Sequence, residues 1–353
     1  MKAAVYQGVG KVSLEEVPKP ECPPDGLLLK VKACGICGTD VRTYYNGDDR
    51  AQPPWILGHE VAGIVEEVGE RARDMIDVEE GTRIHVISTL SCGHCYFCRM
   101  GMENLCENHK LLGYAPFPGG YADYMVVPQM ALRNVMRVPD DVPLELATLT
   151  DPLSDAINGV EQLDVRIGDK AVVIGAGPIG TMQAQMIRAR GAGLVILSEL
   201  NPGRLELARK VLGEDRIIYL DASREDIVKA VMAETEGKGA DRIIVACASG
   251  QAQEESLEMA AKRGRIVFFG GLPRTKPVIN FRSNFLHYGE LTVAGAYAST
   301  LRQQRLALEM IRIGTINAEK IVTHVIPLHA ISDGFELIHR GEALKVVVNP
   351  ELD

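Results

Sequence analysis

Four cysteines crowd the segment Ser91–Cys106, SCGHCYFCRMGMENLC, at spacing C-x2-C-x2-C-x7-C. Four thiolates so spaced can close around one ion. Zinc accepts a tetrahedral sulfur set at about 2.3 Å, has no redox chemistry, and keeps no open position once the protein fills all four. Cys92, Cys95, Cys98 and Cys106 therefore predict a structural zinc site. The rival is an iron–sulfur cluster, since ferredoxin-type runs also begin C-x2-C-x2-C. Those runs continue x3-C-P, whereas here seven residues precede Cys106 and Glu107 follows it. His94, between two of the cysteines, is expected to point away from the ion.

A second set of ligand types is scattered. ACGICGTDVRT and WILGHEVAG carry Cys37, His59 and Glu60, a thiolate, an imidazole and a carboxylate from separated positions. Mixed ligands gathered this way, leaving room for water or substrate, suit a catalytic zinc. Alone they are weak evidence. Cys34 makes a C-x2-C pair with Cys37, and redox chemistry is the alternative there. Nothing places that pair at a thioredoxin-like turn.

VVIGAGPIG supplies a third constellation, Gly175, Gly177 and Gly180 in G-x-G-x-x-G spacing, with Pro178 and Ile179 inside the turn. The motif follows the strand-like KAVVI and opens a helical pattern, which is the context it needs. Gly175 permits the tight turn, Gly177 lets the backbone approach a pyrophosphate, and Gly180 lets helix and strand pack closely. The helix N-terminus faces the anion. Nineteen residues beyond Gly180, LVILSE ends in Glu199, placed to accept hydrogen bonds from the ribose of NAD. Repulsion of a 2′-phosphate and lost hydrogen bonds predict NAD preference over NADP of at least about a hundredfold. Arg204, which could receive that phosphate, is expected on the outer face of the helix RLELARK.

The elements that must position these groups fall into two patterns. Up to about residue 150 the chain is rich in Gly, Pro and short β-like runs, such as GLLLKVKACGIC and HEVAGIVEEVG, separated by turn signals. The N-terminal MKAAVYQGVG alternates like an edge strand. From about 170, short apolar runs alternate with amphipathic stretches: KAVVI, LVILSE, RIIYL, DRIIVACA and RIVFFGG are separated by helical patterns that include QEESLEMAAKRG. That alternation is the signature of a doubly wound parallel sheet. After about 290 the pattern is mixed again. The expected division is a zinc-bearing catalytic domain over 1–153 and 290–353, with a nucleotide-binding α/β domain over 154–289.

With 353 residues, 46% apolar and 24% charged, the chain can bury large cores. Its net charge of −9 argues against nucleic acid as a partner. No apolar run approaches the roughly 20 residues of a membrane span, and the N-terminus lacks the apolar centre of a signal peptide. A cytoplasmic location is expected, where clustered thiols are more often metal ligands than disulfides.

CGICGTD, GHE, CGHCYFCRMGMENLC, GGYADYMVVP, DPLSDA and GAGPIG, in this order, resemble the zinc-dependent medium-chain alcohol dehydrogenases over essentially the whole chain. The branch most similar in motif is that of polyol (sorbitol or L-iditol) and L-threonine dehydrogenases. The resemblance implies a mainly β, GroES-like catalytic domain beside a Rossmann domain, two zincs per chain, NAD as cofactor and an active cleft between the domains. It also implies a homodimer or homotetramer. Cys37 and His59 resemble the catalytic zinc ligands, with Glu60 and Asp151 both placed to supply another. Thr39 matches the residue that takes the substrate proton, and Asp40 the carboxylate behind the metal ligands. One departure stands out: many relatives carry His three residues after Thr39, and this chain has Arg42, which stays charged and cannot act as a base. The implied reaction is hydride transfer from a secondary alcohol, first a polyol or sugar-derived alcohol, to NAD. A threonine-type amino alcohol is the alternative, and a relative that binds nucleotide without turnover is the more distant one. Tyr44, Tyr114, Phe117, Asn284 and Tyr297 are candidates to line the substrate pocket.

Overall fold

The computed structural model describes residues 1–352, and the chain forms two compact units: Met1–Asp151 with the chain from Thr300 onward, and Pro152–Ser299.

In the first unit a seven-stranded sheet is built around Leu27–Gly35, whose run LLLKVKACG is buried almost throughout, as a strand covered on both faces must be. Glu60–Val68 pairs antiparallel with it on one side and Lys345–Val348 on the other. Tyr124–Val127 joins its first half. Val322–Ile326 pairs parallel to Lys345–Val348, while Arg83–Val86 and Val135–Arg137 extend the sheet beyond the Glu60 strand. Leu29, Val61, Ile84, Tyr121, Val346 and Phe335 lie in one continuous core. The N-terminal strand is not an edge. Lys2–Gly8 runs between Lys11–Glu16 and Trp55–Ile56, and its residues Ala3–Tyr6 are all buried because both sides are paired.

The second unit is a six-stranded parallel sheet in the order Ile217–Asp221, Leu194–Glu199, Lys170–Ile174, Ala240–Val245, Ala260–Phe268, Thr292–Gly295. The helices Pro178–Ala189, Pro202–Leu212, Ile227–Glu234 and Gly250–Glu258 fill the crossovers. The order reverses between Lys170–Ile174 and Ala240–Val245, and ligands of such sheets bind at that reversal, beyond the strand C-termini. The fold class is the α/β arrangement expected from the sequence. Two details differ. The unit runs to Ser299 rather than 289, because Thr292–Gly295 adds a sixth strand in register with Arg265–Phe268. The helix of QEESLEMAAKRG stops at Glu258, because pairing of Ala240 with Ala260 draws the backbone into the sheet.

Candidate active site

Cys37 caps the helix Gly38–Asn46: its Sγ accepts the Thr39 N–H at 3.5 Å, and Asp40 returns the favour by accepting the Cys37 N–H at 3.3 Å. One turn of helix thus fixes Cys37, Thr39 and Asp40 together. Glu60 opens the strand Glu60–Val68, and His59 directly precedes it after Gly58, which holds φ 99°. A side chain at 58 would meet Cys34 Sγ at 2.8 Å and the Tyr121 ring at 2.9 Å, so only glycine fits that bend. The result gathers ligand atoms of Cys37, His59 and Glu60 within 4.8 Å of one another. A thiolate, an imidazole and a carboxylate at that separation fit one zinc ion.

Behind these groups Asp40 is fully buried, 3.3 Å from His59 Nδ1 and hydrogen-bonded by the Tyr121 hydroxyl at 2.7 Å. Burial alone would raise its pKa, but His59, Tyr121 and the Cys37 N–H outweigh it and hold it below the usual range. Burial likewise opposes charge on His59, and Asp40 and Cys37 reverse that, pushing its pKa well up.

Glu60 meets a partner the sequence reading missed. Lys345, 2% exposed, donates from Nζ to both Glu60 oxygens and to the Ile36 carbonyl at 3.1 Å. The lone lysine within ALKVVV was the available signal. Asp151 does not join the donor group. Its Oδ1 accepts hydrogen bonds from Ser88 Oγ at 2.9 Å and Gln304 Nε2 at 3.1 Å, which hold it apart. His85, also fully buried, makes no hydrogen bond through either ring nitrogen. Burial, only partly offset by the Asp151 carboxylate, pushes its pKa down to about 4.

Arg42 is exposed on its helix, within electrostatic reach of Asp48. Cys34 is sealed in the core and burial raises its thiol pKa well up, the opposite of a redox-active thiolate. Of the pocket candidates in this unit, Tyr44 packs on Phe335 and donates to the Gly10 carbonyl, away from the donor group, whereas Tyr114 lies 6.1 Å ring to ring from His59.

The four-cysteine loop brings all its sulfurs within 4.8 Å. Cys92 to Cys98 is 3.9 Å and Cys95 to Cys106 is 4.0 Å. A tetrahedron with 2.3 Å zinc–sulfur bonds has edges of about 3.8 Å, so the set fits zinc closely. Main-chain N–H groups aim at the sulfurs, with Cys92 N 3.3 Å from Cys106 Sγ, and those at Cys98 and Glu107 draw the Cys95 thiol down to about 6. His94 turns away, its Nδ1 2.9 Å from the Cys92 carbonyl oxygen.

In the second unit Gly175 bends the chain at φ 108°, and a side chain at Gly180 would strike the Gly175 carbonyl oxygen at 1.9 Å. Space around Gly177 is open, and Gly177 caps the helix that Pro178 and Ile179 begin. Glu199 ends its strand with Oε2 accepting the Ala176 N–H at 2.8 Å and Oε1 the Asn201 N–H at 3.0 Å. Arg204 is not on the outer face. It occupies the first turn of its helix, capped by Asn201, and its guanidinium turns back to 3.7 Å from Glu199 Oε1. The carboxylate attracts it.

A two-unit oxidoreductase, with a metal-binding β unit and a dinucleotide-type parallel sheet, is the class these features define. Comparison agrees. Residues 23–140 match the alcohol dehydrogenase GroES-like domain and residues 178–312 the zinc-binding dehydrogenase family. The chain is 34% identical to an L-threonine 3-dehydrogenase of Bacillus licheniformis, over 99% of both chains. Among solved structures it resembles the alcohol dehydrogenase TADH from Thermus sp. ATN1, at TM-score 0.89, 32% identity and 99% coverage of both chains. It also resembles a protein from Sinorhizobium meliloti 1021 described as a zinc-binding dehydrogenase and bound to NADP, at TM-score 0.88, 30% identity and 99% coverage of both. The chain belongs to the zinc-dependent medium-chain alcohol dehydrogenase family. No helix among the described residues is long and apolar enough to cross a membrane.

Proposed function

We propose that this protein oxidises a small polar secondary alcohol of the β-hydroxy amino acid type with NAD, using one catalytic and one structural zinc. The observation that carries the reading is the meeting of Cys37, His59 and Glu60 beside Thr39 on a capped helix turn. The threonine-type substrate takes precedence over the polyol suggested first by the sequence motifs, because the similar chain from Bacillus licheniformis bears the threonine dehydrogenase name.

Cys37, His59 and Glu60 would hold the catalytic ion, and Cys92, Cys95, Cys98 and Cys106 the structural one. When bound, the catalytic zinc supplies Lewis-acid polarisation of the substrate oxygen, and NAD supplies the hydride acceptor. Thr39, next but one to Cys37, is the group to receive the hydroxyl proton, and Asp40 orients His59. Arg42 holds its own proton permanently, so onward transfer goes to water. Gly175, Gly177 and Gly180, with the helix from Pro178, cradle the pyrophosphate, and Glu199 receives the ribose hydroxyls. A homodimer or homotetramer is part of the proposal.

NADH formation measured with L-threonine, related β-hydroxy amino acids, sorbitol and other polyols tests it. Turnover should be fastest with the amino acids. Turnover with polyols alone would overturn the substrate class, and no turnover with any secondary alcohol would overturn the reaction.

A further inference from the structure

Two tyrosines from one segment reach the same buried carboxylate. Tyr121 donates its hydroxyl to Asp40 Oδ2 at 2.7 Å, and the Tyr114 hydroxyl lies 3.4 Å from Oδ1, its proton directed to Thr43 Oγ1, which itself donates to the Thr39 carbonyl. Each tyrosine is 1% exposed. Tyr114 is tied from its other side to Thr43 Oγ1 at 2.9 Å, and the Arg50 guanidinium lies 4.6 Å over its ring. Helix capping does not require either phenol, since Asp40 completes the capping box through the Cys37 N–H alone.

Hydrogen-bond polarity gives them a purpose. An ionised carboxylate offers acceptors only, and a phenol that donates to it favours that state and fixes where its oxygens sit. His59 Nδ1 is buried and makes no hydrogen bond in this structure, and Asp40 Oδ1, 3.3 Å away, is an acceptor held within its reach. An imidazole that donates from Nδ1 keeps the lone pair of Nε2 for a metal, whereas the opposite tautomer blocks it. Tyr121 makes the shorter bond and carries more of this effect. Tyr114 adds a steric limit on the His59 ring, with its own ring at 51° to it.

We propose that Tyr121, with Tyr114 packed beside it, is a positioning residue of the metal centre, which favours His59 as an Nε2 ligand by holding Asp40 where it can accept the Nδ1–H. This rests on the reading of Cys37 and His59 as metal ligands.

The test uses the full-length zinc protein and its Co2+-substituted form, with Tyr121→Phe, Tyr114→Phe and the double variant. Competition with a chelator reads metal affinity, and the visible spectrum of Co2+ reads the ligand set. Tyr121→Phe should weaken binding at this centre by about tenfold to a hundredfold and shift the Co2+ spectrum, Tyr114→Phe less so, while the four-cysteine loop keeps its zinc. In an Asp40→Asn background, Tyr121→Phe should change affinity by less than about twofold, because the carboxylate it acts through is gone. Lower melting temperature with unchanged affinity and spectrum would make the tyrosines packing residues and overturn the proposal. Wild-type protein that binds no metal outside the four-cysteine loop would overturn the underlying reading, and this proposal with it.

Discussion

Lys345 places Nζ 2.8 and 2.7 Å from the two oxygens of Glu60, with both side chains closed to solvent. Removing one member of such a pair strands the other as an uncompensated buried charge, at about 3–5 kcal/mol. In metal-free protein, Lys345→Met should lower the urea midpoint of the first unit accordingly, and adding Glu60→Gln should recover much of the loss. A Lys345→Met protein within about 1 kcal/mol of wild type would show that Glu60 finds another cation.

The two proposed metal centres should fail differently. Cys37 also caps a helix, so alanine there would cost about 1 kcal/mol for the cap alone. Cys37→Ser keeps a capping oxygen and should abolish nearly all turnover with little change in melting. Cys98→Ala should instead lower stability, because binding energy at a structural ion is folding energy. A stable but inactive Cys98→Ala protein would reverse the two assignments.

Arg204 alters the expectation for cofactor choice. Two anions near 4 Å repel by roughly 1–4 kcal/mol, and a guanidinium 3.7 Å from Glu199 offsets part of that for a 2′-phosphate. NAD should be favoured by only about tenfold in kcat/KM. Arg204→Ala should widen the gap and Glu199→Ser should close or invert it. An Arg204→Ala protein with unchanged preference would return that residue to a purely structural place.

His85 predicts an acid limb in stability. Its folded pKa of about 4 lies below its ordinary 6.5, so between those values the unfolded chain binds more protons than the folded one. Stability is therefore complete above about pH 6.5 and falls as pH drops toward 4, by about 3 kcal/mol in all. His85→Leu should flatten that limb in urea titrations across the window. An unchanged slope would assign the limb to other groups.

Chemistry carried by neighbours in sequence was legible from the sequence. The four-cysteine loop and the glycine turn are local spacings, and the geometry of one turn or one loop follows from them. Lys345 was not legible, because its distance of 285 positions from Glu60 is bridged only by strand register in the finished sheet. Tyr121 and Asp40 meet for the same reason across 81 positions. Arg204 shows a different limit: periodicity gives the face of a helix, but a long side chain in the first turn goes where charge draws it. The Ala260 strand shows a third, since AAKRG has helical composition and only the ladder to Ala240 makes it extended.

The place of the Lys345 strand in the chain sets an order of events during synthesis. Pro152–Ser299 is continuous and can condense as soon as it leaves the ribosome. The first unit, though begun earlier, waits for a strand that follows the whole second unit in the chain. Until then Glu60 has no Lys345 to neutralise it, and the Leu27–Gly35 strand lacks a neighbour on one side at its Cys34–Gly35 end. A chain held between Ser299 and Lys345 is a finished nucleotide unit attached to a sheet with an open seam, a natural target for quality control.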